Sequence, residues 1–127
     1  MSKKIITVII PTYNRKIKIK TIVNFLKCNN FIKILIVEDG TAGSVKNYNS
    51  RLVKKYPTIA YFSYKINKGQ SFACNLGLKY TTTSYVWFFD DDDLVHYNSI
   101  EKIIKEIRLK KRDGYLLPMQ QIYNGVV

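Results

Sequence analysis

Cysteine is scarce in this chain: Cys28 and Cys74 are the whole supply among 127 residues. They stand at no metal-binding spacing, both in helical patterns, and read as free thiols in a reducing, cytoplasmic setting. Long apolar runs are missing too. No stretch approaches the roughly 20 apolar residues that a membrane-spanning helix requires. The start, Met1 to Pro11, has a short apolar run interrupted by Thr7 and no small-residue cleavage site, so it reads as a first strand rather than a signal peptide. Repeats, linkers and low-complexity segments are absent, which leaves one domain over residues 1–127. Negative charge is scarce as well: nine Asp and Glu stand against 21 Lys and Arg, a formal net charge of +12. That balance raises a nucleic-acid or anionic-membrane partner. The cations, however, are scattered over polar helix positions such as Lys16, Lys20, Lys54, Lys102 and Lys105, the pattern of solvated helix faces. Nucleic acid is therefore set aside, and a peripheral membrane contact is retained as an open reading.

Against that scarcity, four of the nine acids stand together as Asp90 to Asp93, directly after the apolar run Tyr85-Val86-Trp87-Phe88-Phe89. The run reads as a strand buried on both faces, because apolar residues do not alternate with polar ones. Four adjacent carboxylates repel one another unless a cation sits among them, and hard divalent metals favour clustered oxygen ligands. A solvated acidic loop before a helix is the plainer reading. Such concentration in a basic chain argues against it.

Strand and helix patterns alternate along the chain. Ile5 to Ile10, Ile32 to Val37, Ile59 to Ser63 and Tyr85 to Phe89 read as strands. Between them, apolar residues at i, i+3, i+4 and i+7 mark helices: Lys16 to Cys28, a second through Val45 to Tyr56, and a short one after Gly69. Asn98 and Glu101 have capping-box spacing and open a last helix carrying Ile100, Ile103, Ile104 and Ile107. A final apolar stretch, Tyr115 to Ile122, follows the Asp113-Gly114 turn. The expectation is an α/β fold, a three-layer α/β/α sandwich on a mainly parallel sheet.

In such a sheet the strand ends emerge along one edge, where ligands bind. Three of them carry unusual polar segments: Pro11-Thr12-Tyr13-Asn14-Arg15, Glu38-Asp39-Gly40-Thr41 and Asp90 to Asp93. The loop Asn67-Lys68-Gly69-Gln70-Ser71 lies between the second and third of these in sequence. Together they suit a nucleotide. Tyr13 can stack on a base, Asp39 can accept from a base imide, and Gly69 allows backbone close to phosphate. His96, the single histidine, reads as a solvated loop residue near a helix start rather than as a metal ligand.

The segments VIIPTYNR, ILIVEDGT, NKGQSFACNLGL and YVWFFDDDDL resemble the amino-terminal half of the family 2 glycosyltransferases of GT-A fold, over Lys4 to about Ile107. The resemblance implies nucleotide-sugar contacts at Pro11, Thr12, Tyr13, Asp39, Gly69, Asp90 and Asp91. It also implies Mn²⁺ or Mg²⁺ held by an Asp-x-Asp motif whose direct ligand is Asp92. Asp91 to Asp93 is the alternative register. The implied reaction is inverting transfer of a sugar from a nucleotide-diphosphate donor, a UDP-sugar being favoured, to an acceptor hydroxyl. Two departures stand out. Cys74 occupies the place of the family's arginine before Asn75, so a positive contact to the donor is missing. No acid follows Asp113, so the family's general base has no candidate here, and the chain reads as a truncated, donor-binding half. A binding module without catalysis is the alternative.

Overall fold

A computed structural model describes residues 3–110, 112–115 and 117. Beyond Tyr115 and Leu117, the apolar stretch expected up to Ile122 lies outside the described residues. Among the described residues eight elements alternate: β1 (Ile6–Thr12), α1 (Ile19–Leu26), β2 (Ile32–Asp39), α2 (Gly43–Lys54), β3 (Ile59–Tyr64), α3 (Gln70–Lys79), β4 (Tyr85–Phe88) and α4 (Tyr97–Leu109). The strands form one sheet in the order β3-β2-β1-β4, every pairing parallel. This is the expected α/β architecture.

Alternate side chains of the two central strands feed two cores, as the period of a strand requires. Ile6, Val8 and Ile10 of β1 and Ile32, Ile34 and Ile36 of β2 pack with Phe25 of α1, Leu52 of α2 and Ile104 of α4. Ile9, Leu35 and Val37 face the other way, onto Ala73 of α3. Each fully buried isoleucine contributes roughly 1.5–3 kcal/mol by leaving water. Helix α3 lies close against the sheet because Gly77 has no side chain: a Cβ there would stand 2.7 Å from Cγ2 of Ile9.

Three expectations need correction. β4 is not buried on both faces. It is the edge strand among the described residues, paired only with β1. Trp87 and Phe89 pack edge-on against Phe25, at 5.2 and 5.0 Å between ring centres, whereas Phe88 is 53% exposed. Second, the capping box is absent. α4 begins at Tyr97, and His96 is the cap residue, in extended conformation and without a side-chain cap bond. Third, α1 starts at Ile19 rather than Lys16. Asn49 Nδ2 donates to the carbonyl of Arg15 at 2.8 Å and Asn49 Oδ1 accepts from the Ile17 amide at 2.8 Å, which holds the preceding segment out of the helix.

Asn49 is itself fully buried and donates from Nδ2 to Oε1 of Glu38, also fully buried, at 2.8 Å. Oε2 of Glu38 and the Tyr61 hydroxyl are buried without hydrogen-bond partners. Burial holds the Glu38 carboxyl above its ordinary pKa of 4.5, against the opposing bonds from Thr41 and Asn49. A raised folded pKa means that the folded chain binds this proton more tightly than the unfolded chain. The associated stability is complete below 4.5 and is lost as pH rises through the folded value. Glu38→Gln keeps an acceptor for Asn49 and has no proton to lose. In urea denaturation at pH 7.5 the variant is expected to be more stable than the parent, the gap closing towards pH 4.5. Parallel pH profiles for the two proteins would refute the assignment.

Candidate functional site

The register of the sheet sets Thr12 opposite Glu38 and Ile9 opposite Phe88. The segments leaving β1, β2 and β4 therefore start side by side at one edge. With the β3–α3 loop they line a crevice of about 380 Å³, within the size range of small-molecule sites. All the sequence-predicted site residues, Pro11, Thr12, Tyr13, Asp39, Gly69, Asp90, Asp91 and Asp92, border it. Tyr13 presents its ring there, 51% exposed. The next residue, Asn14, adopts a left-handed conformation at φ 55°, and its amide donates to Thr41 Oγ1 at 2.8 Å. That bond ties the segment after β1 to the one after β2.

Asp39 is buried, and its two carboxylate oxygens accept four hydrogen bonds. Tyr64 Oη (2.6 Å) and the Lys68 amide (2.8 Å) donate to Oδ1; Asn67 Nδ2 (3.0 Å) and the Gly69 amide (2.9 Å) donate to Oδ2. Burial, and then the Asp39 carboxylate beside it, pushes the Tyr64 phenol well above its usual range, so it stays a neutral donor. Asp39 thus organises the β3–α3 loop, a role that sequence reasoning did not give it. The backbone of Gly69, at φ 94°, is turned onto Asp39. Gly40 is required for space as well as for its φ of 81°, since a Cβ there would fall 2.3 Å from the Asn67 amide nitrogen.

The four aspartates divide into two groups. Asp91 is turned towards the protein: Thr12 Oγ1 donates to its Oδ2 at 2.7 Å and Arg15 Nη1 to its Oδ1 at 2.9 Å. Thr12 is itself buried, so its hydroxyl serves this contact. Carboxylate oxygens of Asp90, Asp92 and Asp93 lie within 4.8 Å of one another. Burial, and then the neighbouring charges of Asp90, Asp92 and Asp91, raise the Asp93 pKa. The Asp90-x-Asp92 register therefore has its middle residue facing away, and His96 does not belong to the group. Gln70 Nε2, from the first turn of α3, donates to Asp90 Oδ1 at 3.2 Å.

The sequence model of glycosyl transferase family 2 matches residues 7–126. The chain belongs to this family. A glycosyltransferase of Rickettsia felis is 37% identical over 102 residues, covering 79% of this chain but 17% of that protein. Among solved structures, S. aureus TarS 1-349 in complex with UDP-GlcNAc superposes with a TM-score of 0.70 at 20% identity, over 91% of this chain and 37% of that one. A mannosyltransferase of Pyrobaculum calidifontis, in complex with GDP-Man and Mn²⁺, gives 0.66 at 22% identity, over 80% and 32%. These likenesses establish the GT-A fold for the chain, which spans under two-fifths of the length of each of these proteins.

Sequence reasoning missed Tyr64 altogether and gave no supporting role to Thr41, Asn67, Gln70 or, above all, Arg15, which stood within the quoted segments. Arg15 stood inside a quoted motif, but nothing local assigned it a partner 76 residues away. Lys68, in the loop held by Asp39, lies over the Phe72 ring at 4.6 Å.

Asp39→Asn replaces one acceptor by a donor where four donors already converge. A net loss of about 3 kcal/mol is expected, from broken charge-assisted bonds and stranded amides. Urea denaturation measures the loss, and amide exchange of Lys68 and Gly69 should accelerate. Unchanged exchange at those two amides would contradict the role given to Asp39.

Proposed function

We propose that this chain is the donor-binding half of an inverting, metal-dependent glycosyltransferase that works in the cytoplasm on a nucleotide-diphosphate sugar. The observation that carries the reading is the meeting, in one crevice, of an exposed aromatic ring, a loop fixed on a buried carboxylate and the exposed carboxylates Asp90 and Asp92, with half-buried Asp93 grouped beside them. The complexes of TarS with UDP-GlcNAc and of the Pyrobaculum enzyme with GDP-Man support a nucleotide sugar as the ligand class, and a UDP-sugar is the favoured donor. No helix among the described residues is long and apolar enough to cross a membrane.

The donor set of Asp90, Asp92 and Asp93 fits a hard divalent cation, since it offers only oxygen ligands at converging positions. Bound there, Mn²⁺ or Mg²⁺ would offset the charge of the departing diphosphate. Tyr13 supplies a face for the base. Pro11 and Thr12 form the wall from which that ring projects, and Gly69 keeps the opposite loop low. Asp90, steadied by Gln70, faces the sugar side of the donor. An acceptor hydroxyl must lose its proton as its oxygen attacks the anomeric carbon from the face opposite the diphosphate. The carboxylate that takes this proton belongs to the acceptor half, outside this chain.

Titration with UDP tests the donor and metal assignments together. Affinity should rise when Mn²⁺ is present, because two ligands of opposite charge stabilise each other's binding reciprocally. Asp92→Ala should abolish the gain. Equal UDP affinity with and without Mn²⁺ would end the metal assignment. In a transfer assay with UDP-, GDP- and dTDP-sugars the chain alone should fall far below 1 s⁻¹, an order-of-magnitude floor for enzymes, because general-base help is worth roughly 10²–10⁴-fold. Transfer at ordinary enzyme rates would place the base among the residues present.

A second feature supports a peripheral membrane contact. A groove of about 850 Å³ between the C-terminal end of α1 and helix α4 is lined by Lys27, Lys102, Lys105 and Arg108, with Glu101 its one acid among the described residues. Leu109 beside them is 70% exposed. Basic residues near an anionic leaflet contribute about 1 kcal/mol each. The chain should co-sediment with phosphatidylglycerol vesicles and not with phosphatidylcholine vesicles, and Lys102→Glu/Lys105→Glu should release it. Retention of that double variant on the anionic vesicles would exclude this groove as the contact.

A further inference from the structure

Among the described residues, Arg15 is the one cation that borders the crevice. Its position combines a fixed root with a free tip. The backbone is clamped by buried Asn49, which holds the Arg15 carbonyl and the Ile17 amide at 2.8 Å each. The side chain is 61% exposed and reaches the aspartate loop, with Nη1 at 2.9 Å from Asp91 Oδ1 and 3.4 Å from Asp92 Oδ2. The two contacts are unequal. Asp91 is well shielded, accepts a second bond from Thr12 at 2.7 Å, and stands outside the carboxylate group formed by Asp90, Asp92 and Asp93. Asp92 is 63% exposed, belongs to that group, and is held at the longer distance.

We propose that Arg15 is a mobile counter-ion and positioning residue: it neutralises Asp91 and Asp92 while the crevice is free, and yields Asp92 when donor and cation arrive. The hand-over needs no backbone motion. A guanidinium presents five donors in a planar fork, so one edge can stay on Asp91 while the other turns to an oxygen of the donor diphosphate. Arg15 would then supply a positive contact to the donor, the kind that the sequence resemblance leaves missing at Cys74. The guanidinium and the divalent cation compete for Asp92 in the absence of donor and cooperate once a diphosphate is present. The proposal rests on the reading of the crevice as a nucleotide-sugar site.

That change of sign is the test. Mn²⁺ binding alone, read from the free-ion electron paramagnetic resonance signal, and UDP binding in saturating Mn²⁺, read by calorimetry, are compared in the parent, Arg15→Gln and Arg15→Lys. Removing the charge should tighten Mn²⁺ alone by roughly two- to five-fold, the scale of an exposed ion pair, and weaken UDP about tenfold or more, the scale of a lost charge-assisted bond. Arg15→Lys, a point charge without a fork, should restore the parent's Mn²⁺ affinity but only part of its UDP affinity. Loss of both affinities in Arg15→Gln would overturn the proposal by making Arg15 a loop tether only, and so would no change in either. If the parent binds Mn²⁺ but no UDP, the nucleotide-sugar reading and the hand-over fall together. The Mn²⁺ comparison then still decides whether Arg15 shields Asp92.

Discussion

Four donors converge on the two oxygens of Asp39, and the crevice is built outward from that point. A buried carboxylate is costly unless its lone pairs are engaged. Here the engagement is complete, supplied by a phenol, a side-chain amide and two successive backbone amides. The requirement fixes the β3–α3 loop over the end of β2, and with it the start of α3. Gly40 must be glycine so that Asn67 can approach, and Gly69 turns its amide inward at positive φ. The loop can face a ligand because its other side is anchored on a charge.

One position earlier in the sequence, Glu38 does the corresponding work on the opposite side of the strand, as the alternation of side chains demands. Through Asn49 it reaches the main chain around Arg15 and Ile17. Adjacent acids at the end of β2 thus hold different segments: Asp39 the loop before α3, Glu38 the loop before α1. Both networks are polar and buried, and both fix backbone; of the two acids only Asp39 also borders the crevice. The charges left facing outward are those of Asp90 and Asp92, with half-buried Asp93 beside them and Arg15 set against Asp92.

The alternation of apolar runs with amphipathic helices made the parallel α/β sheet legible, because burial on both faces leaves a run such as Val8-Ile9-Ile10 no other use. The segments that meet at the crevice were legible for a topological reason: parallel strands end at one edge. What could not be read was which side chains would be spent on support. Asp91 and Asp92 are identical and adjacent, and only the position of Thr12 and Arg15 sends one inward and leaves the other out. Tyr64 is one of ten tyrosines, and nothing local marks it as the partner of Asp39. The reading of β4 as buried failed because a run of aromatic residues records how much apolar surface a strand carries, not how much of it the neighbouring elements cover.

That uncovered surface has a consequence for how the chain behaves in concentrated solution. Among the described residues, the outer edge of β4 is unpaired, with Phe88 and, just beyond the strand, Leu94 more than half exposed. A bare parallel edge flanked by aromatic side chains is a template on which another molecule can lay a strand. Two features oppose such stacking: the aspartates that follow the strand directly, which act as charged gatekeepers, and the formal net charge of +12, which keeps like molecules apart. Both forms of opposition are electrostatic and fade as ions screen them, whereas apolar association does not. Self-association of this chain should therefore be governed by ionic strength, so that salt added to make it behave would be the agent that brings its edges together.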